Sequence, residues 1–220
     1  QHAILTSALS HIPTHGFSQT TLSLAAQEQG LPEISIPALL PRGAADLVLF
    51  RLQKERLALS RNIQPWFSSP SAPTSSPPSQ PHHGRTDAPT LRNIILTRLA
   101  ANRPIVTHLK QSLALISLVE NLTPAVNELE LLADEIVYLA GGKDLGPAWY
   151  ASRMGIMGIY FSAEILQSNP NTEWRDVEGF VYRRVDEFKK VGSVLGSIGE
   201  WAYLQARGVV QLGRNTGMGI

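Results

Sequence analysis

The sequence predicts an all-α protein, a bundle of about nine to ten helices. Apolar residues recur at helical spacing along almost the whole chain, and alternating strand-like patterns are nearly absent. Glycine and proline lie at the boundaries of these periodic segments, where they begin or end helices. The patterns divide the chain into four regions, residues 1–62, 63–89, 90–190 and 191–220.

Two helices joined by a tight turn are predicted at the start of the chain. Residues 4–9 have a helical pattern, and a break follows at Gly16. Ser18 suits the N-cap of the second helix and Gly30 its C-cap. This layout resembles the first two helices of tetracycline-repressor-type regulators, so the first region is interpreted as a degenerate helix-turn-helix followed by a connecting helix.

The segment that would contact DNA in such a regulator, residues 33–41, lacks the necessary charges. Pro37 would break or kink a helix there, and no Lys or Arg occurs before Arg42. Non-specific DNA affinity depends on cations that neutralise phosphates. The net charge of the whole chain is only +1. We therefore expect no binding to nucleic acid.

The connecting helix is predicted to be amphipathic over residues 44–62. Leu47, Phe50 and Leu57 lie on its apolar side, and Arg51, Lys54 and Glu55 lie on its polar side. The following segment, residues 64–89, is rich in proline and serine and cannot bury enough apolar surface to fold. Residues 63–89 are therefore predicted to be a disordered insertion.

Helical patterns resume at Thr90. Pro104 suits the first turn of a helix that extends through Val119, and Pro124 is predicted to begin the next helix, which ends at Gly141. That helix carries Glu128, Glu130, Asp134 and Glu135, which are interpreted as its solvated face.

The helix over residues 149–166 differs from its neighbours because it is apolar on nearly every side. Such a helix is central to a bundle or faces a second apolar surface such as a dimer partner.

A further amphipathic helix is predicted from about Thr172, with Val177, Phe180, Val181, Val185 and Phe188 as its apolar residues.

The last predicted helix, residues 191–214, has an apolar face, a polar face and several glycines that weaken it in water. We expect it to lie at a membrane interface, although permanent packing against the protein or a dimer mate is the alternative. The membrane-binding residues predicted are the apolar Val194, Leu195, Ile198, Trp201, Val209 and Leu212 with the cationic Arg207 and Arg214.

No catalytic residue can be nominated from the sequence. The chain has no HExxH, GxSxG, P-loop or GxGxxG motif and no cysteine, and no Asp or Glu precedes a His by three positions. His82 and His83 are weak metal candidates, so no metal site is predicted. Glu164 is a carboxylate within an apolar helix; an ion pair with Arg153 or Arg175 is favoured over a ligand site.

Several segments together resemble the coenzyme Q (ubiquinone) biosynthesis protein nine family. They are ILTSALSHIPTHGFSQTTLSLAAQEQGL, LLPRG, AGGK, WYASRMGIMGIYFSAEIL and FVYRRVDEF. The similarity covers nearly the whole chain outside residues 64–89. Its most specific part is Trp149-Tyr150-x-x-Arg153 before the helix with Glu164. The chain departs from the family where an acidic residue is replaced by Gly146, and at Gln167-Ser168-Asn169-Pro170.

The resemblance implies a lipid-binding accessory protein with a repressor-like fold and no enzymatic activity. Members are peripheral proteins on the matrix side of the mitochondrial inner membrane and form homo-oligomers, here a homodimer. They bind isoprenoid lipid, present ubiquinone precursors, and support the di-iron demethoxy-ubiquinone hydroxylase with other ubiquinone-biosynthesis proteins. No cofactor is implied other than a bound isoprenoid or quinone lipid. Because the departures lie near the surface that docks the hydroxylase, lipid binding is implied more directly than partner binding.

Two sets of site residues follow. Flexible methionines and large aromatic residues adapt to long apolar ligands, and the residues predicted to bind lipid are Leu113, Ile116, Leu132, Ile136, Met154, Met157, Tyr160 and Phe161. Trp149, Tyr150 and Arg153 are predicted to dock a partner protein, since these residue types are enriched at interface hot spots. Two alternatives remain: a ligand-sensing regulator that has lost DNA binding, or a structural scaffold with a fully packed interior.

Overall fold

The computed structural model describes residues 1–68, 90–141 and 147–194. Nine α-helices and two short 3-10 helices, with no strand, make up these residues, so the all-α prediction is confirmed. The 3-10 helices are Glu33–Ser35 and Arg103–Ile105. The α-helices are α1 His2–His15, α2 Gln19–Glu28, α3 Ile36–Leu39, α4 Ala44–Ser68, α5 Leu91–Ala100, α6 Val106–Ile116, α7 Val119–Leu139, α8 Pro147–Gln167 and α9 Trp174–Val194.

The predicted caps of α2 are present. The Ser18 side chain accepts a hydrogen bond from the Thr21 N–H at 3.3 Å, which satisfies a donor of the first turn. Gly30 follows the other end with a φ of 69°, and the Leu31 N–H donates to the Ala26 carbonyl at 2.9 Å. This is a Schellman ending, in which a left-handed glycine lets the chain turn back on the helix.

The third segment is broken as Pro37 predicts. It consists of the 3-10 helix Glu33–Ser35 and the single turn α3, with Pro37 in the first turn of α3. Proline is accepted in a first turn because its missing N–H has no partner there in any case. The wider likeness to tetracycline-repressor regulators stays a prediction.

Four helix boundaries differ from those predicted. Helix α4 continues to Ser68, beyond the predicted end at Asn62, and the rest of the predicted insertion lies outside the described residues. Helix α7 begins at Val119 rather than Pro124. The reason is that α6 ends earlier than predicted, where the Ser117 Oγ donates to the Leu113 carbonyl at 2.7 Å. Helix α9 extends to Val194, four residues into the predicted last helix.

Two apolar cores organise the bundle, and α4 passes through both. One core joins α1, α2 and α3 to the first half of α4 and the start of α6, with Leu47 contributed by α4. The other joins the second half of α4 to α5, α7, α8 and α9, with Leu59 and Ile63 contributed by α4. A 25-residue helix is about 37 Å long, enough to span two adjacent cores.

The predicted faces of α4 are wrong at two positions. Leu57, predicted to be apolar and buried, is 58% exposed, whereas Arg51, assigned to the polar face, is only 6% exposed. The cause is that α4 contacts α1, α5, α6 and α7, so it has no single buried stripe. Arg51 lies near the middle of the helix, at the junction of the two cores.

The apolar helix α8 is central, as predicted, and contacts α5, α6, α7 and α9. The apolar residues predicted for α9 also pack into the second core. Within the described ranges, no helix is long and apolar enough to cross a membrane.

Candidate ligand cavity

A cavity of about 280 Å³ lies between the two cores. Leu52 and Ile116 of its wall pack against the first core, whereas Leu132 and Tyr160 belong to the second. Its lining residues are Leu52, Arg98, Ile116, Ser117, Leu122, Ala125, Val126, Glu128, Leu129, Leu132, Tyr160, Phe161 and Glu164. The wall is therefore mostly apolar, with a few polar groups, which is the usual composition of a small-molecule site.

Half of the residues predicted to bind lipid lie in this wall. They are Ile116, Leu132, Tyr160 and Phe161. The other four are not lining residues: Leu113 and Ile136 are buried in the protein, Met157 packs against the second core, and Met154 is 52% exposed. Residues on one helical stripe point to different neighbours, and the sequence pattern does not distinguish a packed side chain from a cavity wall.

Most of the other lining residues were not predicted from the sequence. Val126 and Leu129 belong to the apolar stripe of α7 and could have been included on that ground. Leu52 and Arg98 carried no such signal, because the first is one of many leucines on α4 and the second is a cation in a short helix.

One end of the cavity is polar, and its buried side chains form a hydrogen-bonded network. The Glu164 Oε1 accepts from the Tyr160 hydroxyl at 2.9 Å and from the Asn102 Nδ2 at 2.9 Å. The Asn102 Oδ1 in turn accepts from the Arg51 Nη1 at 3.0 Å. Gln167 closes the network by donating to the Leu99 carbonyl at 3.1 Å. These partners come from α4, α5 and α8 and the turn after α5, so the network holds the two cores together.

The partners predicted for Glu164 are wrong. Arg153 pairs instead with Glu130 and Asp134, and Glu164 is bound by Tyr160 and Asn102. The carboxylate is only 5% exposed and lies in the cavity wall, so the less favoured alternative, a buried acid beside a ligand site, describes its position.

Burial changes the proton affinity of two groups in this network. Burial raises the pKa of the Tyr160 hydroxyl far above its usual value, so this group is a neutral donor. Burial lowers the pKa of the Arg51 guanidinium, and the nearby positive charge of Arg98 lowers it further. Arg98 and Arg51 thus repel each other, with Glu164 as the carboxylate close to both.

Glu128 belongs to the wall of the cavity rather than to a solvated face. Its Oε1 accepts from the Arg56 Nε at 2.6 Å, and both side chains are largely buried. This ion pair joins α4 to α7. The prediction of a solvated face is therefore wrong for Glu128, whereas the Glu130 and Asp134 side chains are 48% and 36% exposed while they pair with Arg153.

The mouth of the cavity is apolar. Leu122 and Val126 line the cavity and are also 49% and 45% exposed. Leu118 and Val119, at the start of the same helix, are exposed beside them. An apolar chain could leave the cavity here without losing apolar contact.

The residues predicted to dock a partner form one cluster at the start of α8. The Trp149 and Tyr150 rings pack edge to face with centroids 4.8 Å apart, and the Arg153 guanidinium lies 4.1 Å from the Trp149 centroid. Arg153 is buried and its Nη2 donates to Glu130 at 2.9 Å. Burial raises the pKa of Asp134, the other carboxylate beside it, and the charge of Arg153 opposes that shift. Tyr150 is 61% exposed, so it is the residue of the three that offers most surface to a partner.

The membrane-binding residues predicted after Val194 lie outside the described residues, as do His82 and His83. In the part of the chain that the structure describes, no three His, Asp or Glu side chains are grouped in a way that could hold a metal ion.

Comparison with known proteins shows that the sequence is similar to ubiquinone biosynthesis proteins. A family model described as COQ9 matches residues 122–192, which include most of α7 and all of α8. The chain is 32% identical over 218 residues to the mitochondrial ubiquinone biosynthesis protein coq9 of Schizosaccharomyces pombe, covering 98% of this chain and 80% of the relative. It is 23% identical over 227 residues to mitochondrial COQ9 of Saccharomyces cerevisiae, with 96% and 82% covered. With human mitochondrial COQ9 the identity is 24% over 193 residues, with 87% of this chain but 58% of the relative covered.

Proposed function

Because the chain belongs to the COQ9 family of ubiquinone biosynthesis proteins, we propose that it is a lipid-binding accessory protein of that pathway. It holds an isoprenoid quinone precursor and presents it to a biosynthetic hydroxylase, and it performs no chemistry itself. The observation that carries this proposal is the cavity between the two cores, with apolar walls, a polar end and an apolar mouth.

Presentation requires a surface that contacts the enzyme. The proposed partner is the di-iron demethoxy-ubiquinone hydroxylase, and the proposed docking site is centred on Trp149 and Tyr150. Arg153 supports that site from inside by stacking on Trp149 while it pairs with α7. Other ubiquinone-biosynthesis proteins and a second copy of this chain, forming a homodimer, are further proposed partners.

The proposed location is the matrix face of the mitochondrial inner membrane. The names of the relatives support a mitochondrial protein. The apolar mouth formed by Leu122 and Val126 would allow lipid to pass between membrane and cavity. Flotation of the full chain with liposomes, against a chain ending at Val194, tests whether the last segment is the membrane anchor. Equal flotation of the two chains would contradict that role.

Two other functions, a ligand-sensing regulator and a structural scaffold, have less support. A regulator needs DNA contacts, and no Lys or Arg occurs before Arg42. A passive scaffold has no need of a cavity, whereas this chain leaves about 280 Å³ unfilled between its cores.

Mass spectrometry of organic extracts from the purified protein tests the proposed function. The expected result is a co-purifying isoprenoid quinone or phenol in near-stoichiometric amount. Protein purified without lipid stripping that contains only bulk membrane phospholipid, or no lipid, would contradict the proposal.

A further inference from the structure

Arg98 is an unusual buried side chain. It is 1% exposed, and its Nη1 donates to the Asn102 Oδ1 at 3.3 Å. Its Nε and Nη2 are buried without any hydrogen-bond partner. A buried donor left unpaired is costly, and more so when it is charged. Arg98 is also a lining residue of the cavity, so the unsatisfied donors and the empty space lie at the same place.

Among the described residues, no side chain or carbonyl accepts a hydrogen bond from the Nε or Nη2 of Arg98. The Asn102 Oδ1 already accepts from Arg51, and the Glu164 Oε1 already accepts from Tyr160 and Asn102. None of the ion pairs formed among the described residues includes Arg98. The guanidinium carbon of Arg98 also lies 5.5 Å from the centroid of the Tyr160 ring.

Arg51 provides an internal contrast. It is buried as deeply, yet its Nη1 donates to Asn102 and its Nη2 donates to the Ala101 carbonyl at 2.7 Å. The protein itself therefore supplies acceptors for both Nη atoms of Arg51, whereas two nitrogen atoms of Arg98 have none.

We propose that Arg98 recognises the head group of the bound lipid, by donating to an oxygen of a quinone or phenol ring. The ligand then lies with its ring at the Arg98 and Glu164 end and its isoprenoid chain directed out through Leu122 and Val126. This inference rests on the proposed function, since it assumes that the cavity takes a lipid, and adds how the lipid is selected and oriented.

The charges at this end favour an oxygen-bearing ring over a hydrocarbon. The Arg98 guanidinium lies near that of Arg51, and the Glu164 Oε1 already accepts two hydrogen bonds, so the unpaired donors of Arg98 attract an acceptor oxygen. A ring without oxygen atoms would leave both free donors of Arg98 unpaired. The Tyr160 hydroxyl is already committed to Glu164, so Arg98 is the group left for recognition.

The size of the cavity supports the same orientation. Small-molecule sites usually measure about 300–1,000 Å³, and this one has about 280 Å³. It can hold a substituted ring and the first part of a chain, and a long isoprenoid tail must extend through the mouth.

The test compares two ligands of similar size and shape, one with oxygen atoms on its ring and one without. One is benzoquinone carrying a two-isoprene chain, and the other is benzene carrying the same chain. Equilibrium binding of both is measured with the wild-type protein and with Arg98→Met, which keeps an unbranched side chain but has no donor. The wild type should prefer the quinone by about tenfold or more, as expected for hydrogen bonds from a charged group. Arg98→Met should lose that preference and bind the benzene ligand as before.

Arg51→Met serves as the matched control. It also removes one buried guanidinium, but it leaves the Ala101 carbonyl without its donor and the Asn102 Oδ1 with only the longer bond from Arg98, so it should lower the melting temperature. Arg98→Met should lower the melting temperature of the ligand-free protein less than Arg51→Met does, since two of the three nitrogen atoms it removes have no partner and Asn102 keeps its bond from Arg51. If Arg98→Met does not fold, the proposal is tested on the wild type alone, and a wild type that binds both ligands equally would overturn it.

The possible outcomes separate the two proposals. Equal binding of both ligands by the wild type, unchanged in Arg98→Met, would overturn the role of Arg98 while leaving lipid binding intact. Binding of neither ligand by the wild type would overturn the proposed lipid site itself, and the role of Arg98 with it.

Discussion

At the scale of single residues, the most unusual feature is a set of buried charged side chains, Arg51, Arg98 and Glu164. All three are buried, and each is hydrogen-bonded to the neutral Asn102. Burying a charge costs several kcal/mol unless it is compensated. Glu164 is therefore expected to be the residue on which this part of the fold depends.

The substitution Glu164→Gln should lower the free energy of unfolding by about 3 kcal/mol, the usual effect of removing one partner from a buried charged cluster. It removes the negative charge from the buried hydrogen-bonded network that contains Arg51 and Arg98. Urea unfolding followed by circular dichroism measures the change.

Glu187→Gln is the matched control for this prediction. Glu187 pairs with Arg184 at 2.8 Å on the surface of α9, with about half of its side chain exposed. Exposed pairs contribute about 0–1 kcal/mol, so this variant should unfold almost like the wild type. An equal effect of the two substitutions would show that the Glu164 charge is not needed.

At the scale of elements, the turn between α1 and α2 is fixed by contacts with α6. The Phe17 N–H donates to the Gln111 Oε1 at 3.1 Å, and the Gln111 Nε2 donates to the Phe17 carbonyl at 2.9 Å. Gly16 allows this close approach, because it has a φ of 66° and a Cβ there would lie 2.5 Å from Gln111 Oε1 and 2.7 Å from His108 Nδ1. Gln111 thus ties the turn to α6 through both the oxygen and the nitrogen of its amide.

Gly16→Ala should destabilise the protein more than Gly30→Ala, and thermal unfolding measures both. Each substitution places a side chain in the left-handed region, which costs about 1–2 kcal/mol. Only at Gly16 does the new Cβ meet other atoms, since nothing lies within 4 Å of the corresponding position at Gly30. Melting temperatures that fall equally for the two variants would contradict the clash.

The helices and their caps could be predicted from the sequence because they depend on local signals. Ser18, Gly30 and the break at Pro37 act within a few residues of their own position. The positions of Arg51 and Glu164 could not be predicted, because their partners come from helices distant in the chain. Periodicity within one helix says which side chains share a face, and it does not say what that face meets.

At the scale of the whole molecule, two cores that meet along α4 leave a space at their junction, and the proposed functions divide between that space and the outer surface. The cavity lies at the junction, and the Trp149 and Tyr150 cluster lies at the start of α8. Lipid binding and partner docking should therefore be separable by substitution.

Tyr150→Ala should weaken binding to the hydroxylase and leave lipid content unchanged. Because Tyr150 is 61% exposed, the free energy of unfolding should change by no more than about 0.5 kcal/mol. Hydroxylase capture on an affinity support, with lipid extraction from the same sample, measures both properties. Unfolding of Tyr150→Ala, or unaltered capture, would contradict the docking role.

The central claim is that lipid occupies the cavity between the two cores, and native mass spectrometry of lipid-bound protein tests it most directly. Ala125 lines the cavity and is 9% exposed, so Ala125→Phe should fill part of the space and remove the bound lipid. Ala114→Phe adds the same ring at an exposed position of α6 and should keep the lipid. Folded Ala125→Phe protein that still carries lipid at the wild-type stoichiometry would contradict the account.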